Sequence, residues 1–134
     1  MSQHIWINLD DLADPDKGLW ITNRYVFESI FNRTKTFFKP FELACLDACF
    51  CDHGIEGIEL SYVEKDCFNI FCLRFKTALG HYPDAKQMQY EEAREDRRGA
   101  HEQVTWEWTE ILKRLELDKR YDAAWIESYR REHG

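Results

Sequence analysis

Apolar residues in this chain never run together for more than four positions, as in Ile70-Phe71-Cys72-Leu73, so they can be buried only by amphipathic elements folding onto one another. A bilayer-crossing helix needs roughly 18 consecutive apolar residues, and the sequence offers no such stretch. The 134 residues suffice for one core, which predicts a single domain over 1–134. Hydrophobic residues make up 44% and charged residues 32%, the balance of a globular chain rather than a disordered one.

The spacing of the apolar positions changes along the chain. Ile5, Ile7 and Leu9 alternate with Trp6 and Asn8 at the period of a strand, and Asp14-Pro15-Asp16-Lys17-Gly18 follows as a turn. Val26, Ile30 and Thr34, flanked by Phe27 and Phe31, form a helical stripe that Thr22 can cap. Pro40 suits the first turn of a second helix, carrying Phe41, Ala44, Cys45, Ala48 and Cys49 inward and stopping at Gly54.

Ile58, Leu60 and Tyr62, then the residues from Cys67 to Phe75 on alternating parities, read as two strands joined around Glu64-Lys65-Asp66. Beyond Gly80-His81-Tyr82-Pro83, the segment from Glu91 to Arg98 is almost wholly charged, which predicts a solvated helix or a loop. Val104, Trp108, Ile111, Leu112 and Leu115 return to helical spacing. Asp118 is placed to cap a last helix with Tyr121, Trp125 and Ser128 inward and Arg130 and Arg131 at its negative end. These elements predict an α+β fold: a small antiparallel sheet, made of the N-terminal strand plus a hairpin near 56–76, packed with helices, and a mainly helical C-terminal half. No repeat of 20 to 50 residues recurs, which excludes a solenoid.

Formal net charge is −7 and unevenly spread: 12 acidic against 6 basic residues through Asp66 (−6), then 13 against 12 (−1). Such a surface repels phosphate backbones, so direct nucleic-acid binding is not expected. Arg94, Arg97, Arg98 and His101 form a basic run, but Glu91, Glu92, Glu95, Asp96 and Glu102 interleave with it and cancel it. The five cysteines show no paired framework, and the N-terminus lacks the pattern of a secretory signal. Reduced thiols and a cytoplasmic location are the expectation.

Cys45, Cys49, Cys51 and His53 form the most suggestive cluster, since the first, second and last sit four apart on a helix. Structural zinc sites take two close ligand pairs, a spacing this cluster does not match, and buried cysteine more often packs as a small hydrophobe. Cys51, Asp52 and His53 are adjacent in sequence, whereas nucleophile and base usually meet across a fold. Paired carboxylates such as Asp10-Asp11 and Glu91-Glu92 have no pocket or ligand spacing around them, and Gly54-Ile55-Glu56-Gly57 lacks the lysine of a phosphate loop. No cofactor, metal or catalytic residue is therefore assigned.

What the sequence does suggest is a partner surface. Twenty aromatic residues, 5 Trp, 6 Tyr and 9 Phe, exceed what one small core needs. If 104–115 is a helix, Trp106 lies about 200° round from Val104 and faces solvent; if it starts as a strand, Val104, Trp106 and Trp108 share one buried face. Asp10, Asp11, Glu56 and Glu59 are candidates for a negative patch. Together with Trp106 they suggest a small acidic binding module that neutralises a basic, nucleic-acid-acting enzyme in the manner of immunity proteins, an analogy of charge and size only. Two alternatives stand beside it: a small cysteine- or metal-dependent enzyme using Cys45 to His53, and an accessory subunit of a larger complex.

Overall fold

Ile5 and Ile7 are buried as their alternation requires, and they lie in and just beyond the first strand. In the computed structural model, residues 2–7, 19–50, 57–82 and 95–134 are described. Strand β1 (Ser2–Trp6) lies at the centre of a three-stranded sheet, between β2 (Leu19–Asn23) and β3 (Gly57–Glu59). β2 runs antiparallel to β1 with Trp20 opposite Ile5, and β3 runs parallel to it with Ile58 opposite Ile5. Gly57 pairs with His4, and a Cβ there would lie 2.6 Å from the His4 carbonyl oxygen, so this close strand approach needs glycine.

A parallel pair needs a long crossover, and helices α1 (Arg24–Thr36) and α2 (Leu43–Cys49) lie in the segment between β2 and β3. The helix expected after Thr22 forms, but Asn23 caps it: its side chain accepts from the Val26 amide at 2.9 Å, while Thr22 is buried in β2. Val26, Ile30, Phe31 and Thr34 are its buried face. Thr34 is tolerated there because its hydroxyl donates to the Ile30 carbonyl at 2.9 Å. Pro40 opens a 3-10 turn, Pro40–Glu42, that precedes α2 and turns its phase. Phe41, Ala44 and Ala48 therefore face outward, Phe41 with 63% of its surface exposed, while Glu42 and Cys49 point inward. Gly54 lies outside the described residues.

The expected hairpin near 56–76 does not form. Only its first limb survives, as β3, and it joins the sheet in parallel; Lys65–His81 is helix α3. All eight residues from Phe68 to Phe75 are buried, so α3 is the central helix, covered on every side. A helix apolar nearly all round has apolar residues on both strand parities, which is why alternation fitted it. The sheet is accordingly mixed rather than antiparallel, within an α+β fold whose C-terminal half is helical.

Helix α4 (Glu95–Glu116) buries Val104, Trp108, Ile111 and Leu115 as their spacing predicts. Trp108 donates its indole N–H to the Phe75 carbonyl at 3.1 Å, which satisfies the polar atom of a large side chain in the core. Phe75 also packs against Trp108 at 5.9 Å between ring centroids, and Phe31, Phe71 and Phe75 pack on one another with centroids 5.6 to 6.4 Å apart. The charged segment before it is helical from Glu95 onward; 91–94 lies outside the described residues.

Helix α5 (Ala123–His133) is capped by Asp122, which accepts from the Trp125 amide at 3.0 Å, and not by Asp118. Asp118 instead grips Arg120 through two 2.9 Å hydrogen bonds. The Arg120 guanidinium also donates to the carbonyls of Leu60 (2.5 Å), Val63 (2.9 Å) and Ile7 (3.0 Å), closing the ends of β1 and β3. Tyr121 and Trp125 are half-buried, but Ser128, expected to face inward, is exposed.

Candidate interaction surface

Of the two readings at Trp106, the helix prevails. Because α4 turns Val104 and Trp108 to the core, Trp106 points away, with 55% of its surface exposed. It does not stand alone, since Trp20 of β2 lies against it with ring centroids 6.1 Å apart. Trp20 is in turn held by Glu107 and Arg114. Its indole N–H donates to Glu107 Oε1 at 2.9 Å, Gln103 binds the other oxygen of Glu107 at 2.9 Å, and the Arg114 guanidinium lies 4.5 Å from the Trp20 ring centre. Arg114 also donates to the Leu19 carbonyl at 2.9 Å. Glu107 is buried, so this network ties an edge strand to α4 and places the exposed Trp106 on an ordered support. On the other face of the same strand Ile21 is 55% exposed.

The acidic candidates divide. Asp10, Asp11 and Glu56 lie outside the described residues. Glu59, at the end of β3, is half-buried and accepts from the Ser61 amide at 2.9 Å, so it closes a turn. Trp20, Gln103, Glu107 and Arg114 were not singled out in the sequence. Only the period-2 parity of Trp20 with the core could have pointed to it, and its partners are 83 or more residues away.

The cysteine cluster is dismantled by a bond that its spacing did not suggest. Cys45 of α2 is joined to Cys67 in the first turn of α3 in a disulfide, with 22 residues of separation, which corrects the expectation that all the cysteines are reduced thiols. Cys45 is therefore unavailable to a metal or a substrate in this state. Cys51 and His53 lie outside the described residues. Cys49 and Cys72 are free and buried; burial pushes the Cys49 thiol up to about 12, and that of Cys72 well above its ordinary value, which suits core packing and not nucleophilic attack. Among the described residues no group of three or more His, Cys, Asp or Glu side chains is arranged to hold a metal.

The buried polar chemistry is structural. Arg74 of α3 and Glu42 form a two-pronged ion pair at 2.9 and 2.8 Å, both side chains being almost inaccessible. The Tyr129 hydroxyl donates to Glu42 Oε2, the Lys39 amide donates to Oε1 at 2.7 Å, and Arg74 Nη1 reaches the Gly134 carbonyl at 3.2 Å. Burial alone would raise the Glu42 carboxyl; the hydrogen bonds from Arg74, Lys39 and Tyr129 outweigh it and hold the group below its ordinary 4.5. A carboxylate fully used in this way has no lone pair left for catalysis.

Fold and site together define a small α+β domain that presents a supported exposed tryptophan. No family model, curated protein or solved structure matches the chain. No helix among the described residues is long and apolar enough to cross a membrane.

Proposed function

We propose that this chain is a protein-binding module whose contact surface centres on Trp106 and Trp20, and that its partner is a basic protein. The observation that carries the proposal is the exposed Trp106 indole set on the fixed Trp20–Glu107–Arg114 network. Tryptophan supplies large contact area at little entropic cost, and one already held in place loses less freedom on binding. The formal charge of −7 adds long-range attraction to a positively charged partner and disfavours nucleic acid itself. Inhibition of a basic, nucleic-acid-acting enzyme is the form of this function that the charge favours. Asp10, Asp11, Glu56 and Glu59 remain its proposed acidic contributors.

Tagged protein incubated with nuclease-treated lysate of the source cells tests the reading, with the Trp106→Ala variant alongside. The expected result is one basic protein retained near one to one, released as salt rises and not retained by the variant. Equal retention by both proteins would remove Trp106 from the interface, and retention of nucleic acid alone would overturn the function.

A cytoplasmic location belongs to the same proposal. Thiol labelling in freshly lysed cells reads it through Cys45 and Cys67: reduced thiols support it, and a bridge already closed in the cell would place the chain in an oxidising compartment.

A further inference from the structure

Helix α5 has no fully buried residue and is anchored at both ends. At the start, the Asp122 amide donates to Asn69 Oδ1 at 2.8 Å and its carboxylate pairs with Lys65 at 3.3 Å; at the finish, Tyr129 and Gly134 join the Arg74–Glu42 pair. Between these anchors Ile126 packs against the core, and beside it a groove of about 560 Å³ remains between α5, α3 and α4. That volume lies in the range of small-molecule sites. Its apolar wall includes Leu73, Leu112 and Ile126, and its mouth carries Lys76, His81 and Arg130.

The charge at the mouth has the opposite sign to the molecule. Glu127, the groove's one acidic residue, is already paired with Arg130 at 2.6 Å and Arg131 at 3.4 Å. Lys76 has no ion-pair or hydrogen-bond partner among the described residues. It lies one turn beyond Cys72 and one turn before Gly80 on the same face of α3, and a Cβ at Gly80 would meet nothing within 4 Å. An apolar trough with an unpaired ammonium at its rim suits a ligand with an apolar body and one anionic head.

We propose that the groove between α3, α4 and α5 binds a small amphipathic carboxylate, with its chain against Leu73, Leu112 and Ile126 and its head on Lys76. This is a second site, opposite in charge preference to the surface at Trp106, and it stands whether or not a protein partner is found.

Calorimetric titration with decanoate below its micellar concentration is the test, run on the wild type, Lys76→Glu, Gly80→Phe and the exposed control Lys119→Glu. A Cβ at Gly80 meets nothing within 4 Å, so Gly80→Phe can start from this helical position without a backbone clash and places a ring at the groove. The expected result is saturable one-to-one binding by the wild type and Lys119→Glu, at least tenfold weaker binding by Lys76→Glu, and none by Gly80→Phe, with circular dichroism alike for all four. Decanol should bind the wild type at least tenfold more weakly than decanoate. Absence of saturable wild-type binding, binding unchanged in Lys76→Glu and Gly80→Phe, or decanol binding as tightly as decanoate would overturn the proposal.

Discussion

At the scale of single residues, the molecule depends on three polar side chains that composition would place at the surface. Arg74, Glu42 and Arg120 each bridge elements far apart in sequence. Removing one partner of the Arg74–Glu42 pair leaves the other charged and buried, so Arg74→Ala should cost about 3–5 kcal/mol in a denaturant titration. Arg74→Met with Glu42→Leu should recover much of that loss, because no uncompensated charge remains.

The same pair sets the acid response. A carboxyl held low when folded contributes stability that is present above its unfolded pKa and is lost as pH falls through the folded value. The wild type should therefore lose stability below about pH 4, and Glu42→Gln should be less stable at pH 7 with a flatter acid limb. Tyr129 acts in the other direction: burial, and then the hydrogen bond to Glu42, push its hydroxyl up to about 12. Its contribution is present below pH 10 and disappears as pH rises towards 12, and absorbance at 295 nm should show one tyrosine ionising late.

At the scale of elements, legibility in the sequence followed the ratio of buried to solvated positions. α1 and α4 each bury one stripe, so Val26, Ile30 and Thr34, and Val104, Trp108, Ile111 and Leu115, announced them by spacing alone. α3 buries every residue from Phe68 to Phe75, and a pattern without a polar face carries no period. β2 was missed because Leu19-Trp20-Ile21 is too short a run to separate from a turn, and its partner β1 identifies it only in three dimensions.

Two predictions belong to this scale. Gly57→Ala should push β3 away from β1 and cost more than the few tenths of a kcal/mol usual at the surface, because the obstacle is the backbone oxygen of His4. Reduction of Cys45–Cys67 frees α2 from the start of α3 and should lower the denaturation midpoint, whereas Cys49 and Cys72 should resist alkylation until the chain unfolds.

At the scale of the whole molecule, charge and topology act on different properties. The charge of −7 governs association and solubility and says little about fold. If the partner is basic, its affinity should fall steadily with ionic strength for the wild type, and Glu59→Lys, which reverses one of the proposed acidic contributors, should weaken binding and flatten that slope. Of the candidate site, Trp106 was legible as soon as the helix was accepted, since an angle around a helix axis is a local quantity. Its support was not: Trp20 reaches Glu107 across 87 positions, and Arg114 reaches Leu19 across 95.

The amphipathic stripes, the sign of the charge and the α+β class follow from local order along the chain, because period and composition depend on near neighbours. The parallel placement of β3, the burial of Arg74 with Glu42, the Cys45–Cys67 bond and the groove beneath α5 were decided by tertiary structure. Each joins atoms that only the folded chain brings together, and their energies come from shared burial, which no single stretch of sequence contains.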